Sequence, residues 1–235
     1  MDDRRPEADL RAAIRRRTIQ VLALFAVQGL ILFLAAGRFD WLWGWLYMAL
    51  YLAGIAVTAV LMFRTSPETI AERADVSGVR GWDRVVGGLF SLTYFFGLLA
   101  VAGLDARFGW TPELPLVVHL VGAAGFLLGY ALFVWAMLSN ARFATVARLR
   151  SDGEHPVCSS GPYRFVRHPG YSGVIFQSLG SPLLLGALWA LLPGLLSAVL
   201  LVVRTALEDR MLRGELAGYA DYTRRVRYRL LPPVW

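Results

Sequence analysis

Residues 170–203 read GYSGVIFQSLGSPLLLGALWALLPGLLSAVLLVV, a stretch of 34 positions without a charge. A single straight helix of that length would measure about 50 Å at 1.5 Å per residue, well beyond the ~30 Å hydrocarbon core of a bilayer. Pro182, Gly186, Pro193 and Gly194 interrupt the run. It therefore reads as a helical hairpin that turns within residues 181–194. Its two legs are short, so a re-entrant loop suits them as well as a full crossing. Apolar backbone folded back on itself in this way belongs in a membrane, and helices satisfy its hydrogen bonds there.

The rest of the chain agrees. Four further apolar runs precede the hairpin, at residues 18–36, 41–63, 85–104 and 115–138; none carries an arginine, aspartate or glutamate, and His119 in the fourth is their only histidine. Each has about the 20 residues that a crossing helix needs. The chain is 57% hydrophobic, with a mean hydropathy of +0.51, against about 45–50% apolar residues in soluble domains. The fold class expected is all-α, a multi-pass transmembrane helix bundle with a C-terminal helical hairpin. Residues 1–139 form an N-terminal set of four spans. Residues 140–235 carry denser polar and aromatic patterning and form the functional region.

Charge orients the bundle. Arginines cluster at Arg4–Arg17, at Arg64–Arg84, at Arg142–Arg167 and from Arg204 to Arg229, while the alternate loops carry only Arg38, Arg107 or none. If the hairpin returns to its starting side, every arginine-rich segment shares one face, which the positive-inside rule makes cytoplasmic. Both termini then lie in the cytoplasm, and a bacterial inner membrane is the expected location. Trp41, Trp43, Trp45 and Trp110 fall at span boundaries, as an aromatic belt requires. Outside the spans, Ser66-Pro67-Glu68 reads as the start of a short interfacial helix over residues 67–74. The run after Arg17 is too long for a signal peptide core, and no small-residue cleavage site follows it.

Composition removes several functions. The formal net charge is +7, yet the charges lie between apolar runs, so membrane lipids rather than nucleic acid are the expected partners. All 24 basic residues are arginine, which excludes lysine chemistry. The single Cys158 and three scattered histidines, His119, His155 and His168, lack metal-ligand spacing, so no metal is expected. There is no G-x-G-x-x-G or Walker-type run.

The chemistry-bearing stretch is His155-Pro-Val-Cys-Ser-Ser-Gly-Pro-Tyr163-Arg-Phe-Val-Arg-His168-Pro-Gly-Tyr171-Ser-Gly173. Gly161-Pro162 is a turn signal. Pro169 and Gly170 can open the next helix, which places Arg167 and His168 at its N-terminus. A basic cluster beside free backbone N–H groups suits a carboxylate or phosphate, although the same arginines could simply anchor the hairpin to headgroups. Arg204 and Glu208, four residues apart, share a helix face where the hairpin leaves the membrane. They read equally as a surface ion pair or as intramembrane functional charges. In the tail, aromatics alternate with arginines from Tyr219 to Trp235, fitting a lipid anchor or a lid over a pocket. His119 reads as a bundle histidine and Cys158 as a packing residue.

Together these pieces resemble the isoprenylcysteine carboxyl methyltransferase and phospholipid methyltransferase group of integral membrane enzymes. The matching residues are Gly161-Pro-Tyr-Arg-x-Val-Arg-His-Pro-x-Tyr-x-Gly173, Arg204-x-x-x-Glu208, and Gly218-Tyr-x-x-Tyr222 followed by Arg225-Val226. The resemblance implies S-adenosyl-L-methionine as methyl donor, S-adenosyl-L-homocysteine as product, and a cytoplasmic cofactor pocket without a Rossmann domain. By the same resemblance His155, Pro156, Val157, Cys158, Tyr163, Arg167, His168, Pro169, Tyr171 and Glu208 contact the cofactor. Arg204 falls on the substrate side, and Arg204 with Glu208 forms the catalytic pair. The acceptor would be a lipophilic or small molecule bearing a carboxylate, amine or thiol. An amine or thiol must lose a proton, for which Glu208 or His168 is suited. Two other functions compete: an NADPH-dependent membrane sterol or enone-type reductase, and a non-enzymatic lipid-binding membrane protein.

Overall fold

The computed structural model describes residues 4–65, 79–140 and 157–235, the first few of them by backbone alone. The expected helix over residues 67–74 lies outside these, as do His155, Pro156, Arg142, Arg148 and Arg150. Among the described residues the α-helices are α1 (Arg4–Ala36), α2 (Leu42–Thr65), α3 (Gly81–Phe108), α4 (Leu116–Ser139), α5 (Pro169–Leu185), α6 (Leu191–Glu215) and α7 (Tyr219–Arg225). No strand occurs among the described residues. Among the described residues, five helical stretches are long and apolar enough to cross a membrane: Arg11–Ala36, Leu42–Thr65, Gly81–Phe108, Leu116–Ser139 and Leu188–Glu215.

The hairpin is asymmetric. Its first leg, α5, has 17 residues, and its second, α6, has 25. The expectation of two short legs is corrected for the second, because the helix continues through Arg204 and Glu208 to Glu215. Gly186 ends α5 at φ +71°, a left-handed conformation that favours glycine. Its N–H and that of Ala187 close on the carbonyls of Leu183 and Pro182, a Schellman arrangement that satisfies the helix end. Pro182 sits inside α5 and leaves the Ser178 carbonyl without its helical donor. Gly194 of α6 approaches that carbonyl so closely that a Cβ there would lie 2.5 Å away.

Packing between α4 and α5 depends on bare backbone. A Cβ on Gly122 would lie 2.1 Å from Leu184 N, and one on Gly129 would lie 2.4 Å from Gly173 O. On the other side, Gly173 faces Gly129 O and Gly180 faces Phe126 N at similar range. Lipid offers no hydrophobic gain for helix association, so close backbone approach through small residues supplies the contact. Gly103 does the same for α3 against Leu32 O of α1. Midway along α3, residues Leu92–Gly97 form a π-helical turn. Tyr94 within it donates to Gln177 of α5 at 3.1 Å, and Phe95 O accepts from Gln28 of α1 at 3.4 Å. Wider turns of this kind release carbonyls for such partners.

The bundle has two distinct ends. At one, Asp105 accepts from Thr111 N and Oγ1 and from Trp189 N, tying α3, the loop after it and the hairpin turn together. His119 shares this end, bonded through Nδ1 to Leu184 O at 2.9 Å and stacked on Trp43 at 3.7 Å, which fits the bundle reading. Trp41 and Trp43 here are packing residues, whereas Trp45 and Trp110 are exposed. The opposite end gathers the start of α3, the segment before α5, the end of α6 and the tail. Arg80 pairs with Glu215 there, and Asp83 with Arg204.

Candidate active site

The site grows from the loop that enters α5. Gly161 takes φ +54°, and a Cβ on it would lie 2.1 Å from Ser139 Oγ, so the Gly-Pro turn requires glycine at this point. A short 3-10 turn, Gly161–Arg164, follows and buries Tyr163. Asn140 reaches the Tyr163 hydroxyl, and Tyr222 of α7 donates to the Tyr163 carbonyl at 2.7 Å. Val157 packs against Tyr219, Tyr222 and Val226, and Cys158 Sγ donates to Ser139 O at 3.2 Å. Burial pushes the phenols of Tyr163, Tyr219 and Tyr222 well above their usual range, and Tyr219 and Tyr222 donate as neutral hydroxyls to Asp209 and the Tyr163 carbonyl.

Next, the tail stitches this loop down. The N–H groups of Arg167 and His168 donate to Tyr228 O and Arg229 O at 3.0 and 2.9 Å, and Ser172 Oγ donates to Leu230 O at 2.6 Å. Beneath lies Asp209 of α6, which is 1% exposed. Its carboxylate meets Arg167 Nε at 2.9 Å, Arg229 Nε at 3.0 Å, Arg213 Nε at 3.2 Å and the Tyr219 hydroxyl at 3.0 Å. His168 Nε2 stands 3.6 Å away. Burial draws the Arg167 guanidinium below its ordinary value, with Asp209 acting in the opposite direction. The basic residues expected at the mouth of the hairpin are therefore turned inward onto a buried carboxylate. Arg167 also donates to Val226 O at 3.1 Å.

Pro169 opens α5 at the first helical position, which its fixed φ favours. This sets Tyr171 on the first turn, its ring parallel to His168 with centroids 5.8 Å apart. The Tyr171 hydroxyl donates to Glu208 Oε2 at 2.5 Å. Among the described residues, Glu208 Oε1 has no hydrogen bond, and the side chain is only half-buried. Over the other part of the Tyr171 ring lies Arg204, its Cζ 5.3 Å from the centroid. Arg204 is bound by two hydrogen bonds to Asp83 of α3: Nε to Oδ1 at 2.7 Å and Nη2 to Oδ2 at 3.0 Å.

Of the residues singled out from sequence, His168, Tyr171, Arg204 and Glu208 converge directly, and Pro169 opens the helix that carries Tyr171. Val157, Cys158 and Tyr163 line the adjoining loop, and Arg167 is engaged by Asp209. Sequence reading singles out neither Asp83 nor Asp209 as part of the site. Asp83 sits beside Arg80 and Arg84 and has the appearance of a loop charge. Its burial follows from α3 starting at Gly81, before the uncharged run begins. The arrangement offers a half-buried carboxylate, two aromatic faces and a fixed guanidinium at one edge of the bundle. Chemically, the half-buried carboxylate can accept hydrogen bonds from hydroxyl or ammonium groups.

Residues 120–214 match the model of the isoprenylcysteine carboxyl methyltransferase (ICMT) family. The resemblance read from the motifs is borne out over that stretch, which contains Tyr163, His168, Tyr171, Arg204 and Glu208. Two rice proteins, from Oryza sativa subsp. indica and subsp. japonica, are 32% identical over 69 residues, 29% of this chain and 36% of each of theirs. Both are named probable protein-S-isoprenylcysteine O-methyltransferase. The match thus spans about a third of the length of these curated relatives. A solved structure of the eukaryotic intramembrane Ras methyltransferase ICMT aligns over 94% of this chain and 98% of that one, at 18% identity and a TM-score of 0.49.

Proposed function

We propose that this chain, whose residues 120–214 carry the isoprenylcysteine carboxyl methyltransferase family pattern, is an S-adenosyl-L-methionine-dependent membrane methyltransferase. One observation above all supports this reading: Glu208, with one oxygen on Tyr171 and the other unbonded among the described residues, at the edge of an apolar bundle. Glu208 would accept from a ribose hydroxyl or the α-ammonium of the donor. Tyr163 and the His168–Tyr171 pair would present aromatic faces to its adenine. Val157, Cys158 and Pro169 would contribute walls and backbone, as the family pattern implies for these positions and for His155 and Pro156.

The donor supplies an already activated methyl group on a sulfonium, so the protein's task is alignment and exclusion of water. Arg204 would orient the acceptor from the α3 side. An acceptor with a carboxylate needs no base, whereas an amine or thiol would yield its proton to Glu208 or His168. A lipophilic acceptor would enter sideways from the bilayer, and the donor from the arginine-rich, cytoplasmic side. Membranes carrying the full chain, incubated with methyl-labelled S-adenosylmethionine, should yield a labelled organic-soluble product. Labelled membranes without such a product, together with saturable NADPH binding by the purified protein, would favour the reductase reading instead.

A further inference from the structure

We infer that Asp83 is a positioning residue for methyl transfer, acting through Arg204. The two lie 121 positions apart in sequence, on α3 and α6. Asp83 is 2% exposed and Arg204 6%. A buried guanidinium without a counter-charge is costly, so the pair could serve folding alone. Its geometry goes further. Asp83 grips the Nε–Nη2 edge of the guanidinium by two nearly parallel bonds of 2.7 and 3.0 Å. Such a fork fixes the plane of the group, which a lone point charge would not do.

The ring of Tyr171 lies 5.3 Å from Arg204 Cζ, on a residue whose hydroxyl is bonded to Glu208. Asp83, Arg204, Tyr171 and Glu208 therefore form one chain of contacts across α3, α5 and α6. On the α3 side, Gly87 stands one turn beyond Asp83. A Cβ there would lie 3.5 Å from Asp83 Oδ1 and 3.9 Å from Arg204 Cζ, in ordinary contact with the pair. Asp83 sets where the acceptor-side cation points, and the family-matched segment 120–214 does not contain it.

The inference rests on the methyltransferase reading, and its test separates the two. The decisive variant is Asp83→Glu, which keeps the buried charge but lengthens the arm by one methylene. If Asp83 positions Arg204, this full-length variant in nanodiscs keeps its melting temperature and its affinity for S-adenosylhomocysteine. Methyl incorporation from labelled S-adenosylmethionine into organic-soluble material of its membranes then falls ~100-fold, the scale on which a misplacement of ~1 Å acts. Adding Asp83→Asn to Arg204→Gln, which removes both buried charges together, then lowers incorporation no further than Arg204→Gln alone. Wild-type incorporation by Asp83→Glu, or an extra loss in the double variant, would overturn the inference while leaving the methyltransferase reading in place. A wild-type protein that neither binds S-adenosylhomocysteine nor incorporates label would overturn that reading, and the inference with it.

Discussion

The Tyr171 hydroxyl and Glu208 Oε2 lie 2.5 Å apart, joining residues 37 positions apart in sequence on the two legs of the hairpin. This bond fixes the carboxylate where α6 leaves the apolar bundle, and it ties the His168 stack to the α3–α6 ion pair through a single aromatic ring. Tyr171→Phe should therefore keep the fold and weaken the site. Loss of one hydrogen bond to a charged acceptor is worth about 1.5–3 kcal/mol. Calorimetry with S-adenosylhomocysteine should show a raised Kd, with the fold retained and the melting temperature lowered by no more than the loss of that one bond accounts for.

Asp209 holds the loop, α6 and the tail together from a position 1% exposed. Asp209→Asn leaves Arg167 and Arg229 facing a neutral amide. Breaking a buried ion pair by removing one partner typically costs about 3–5 kcal/mol. The expected outcome is a clearly lower melting temperature and faster trypsin cleavage within the arginine-rich tail. Unchanged cleavage kinetics would show that the tail is held by its backbone bonds to residues 167 and 168 instead.

Gly129 leaves no room for a side chain, since a Cβ would fall 2.4 Å from Gly173 O. Gly129→Val should separate α4 from α5 and cost at least the ~1–3 kcal/mol of ordinary overpacking. Detergent thermal scans should reveal this as a large drop. Gly109→Ala offers a contrast: nothing stands within 4 Å of its Cβ, and only its φ of +62° opposes the change, so a much smaller shift is expected.

The arginine-rich end should face the cytoplasm. In a Cys158→Ser background, Glu113→Cys lies in the α3–α4 loop and Arg224→Cys lies near the end of α7, both exposed. A membrane-impermeant thiol reagent added to intact cells should label Glu113→Cys and spare Arg224→Cys. The reverse pattern would invert the topology and move the donor's entry to the other side.

The sequence reveals the helical architecture well and the site only in part, for identifiable reasons. Uncharged runs mark the cores of the spans, but the helices outlast them: α3 begins at Gly81 rather than at Val85, and α6 runs on to Glu215. Asp83 and Asp209 lie in exactly those extensions, where neighbouring arginines disguise them as loop or surface charges. Pro182 and Gly186 announce the hairpin, yet only the left-handed φ of Gly186 fixes its turn. His168, Tyr171 and Glu208 were legible as motif residues. Their mutual contact was not, because it depends on the register between two legs that pack through Gly194 and Ser178. Arg167 reads as a free cation at a helix start, whereas the fold turns it onto Asp209.

The central claim is that the loop entering α5 and the Glu208 face of α6 bind S-adenosylmethionine. Isothermal titration of the full chain in nanodiscs with S-adenosylhomocysteine tests it most directly. The account predicts saturable binding at one site per chain in the wild type, weakened at least ~10-fold in Glu208→Gln, the loss expected for a hydrogen bond to a charged group. Equal affinity in the two proteins, or no heat of binding in the wild type, would contradict it.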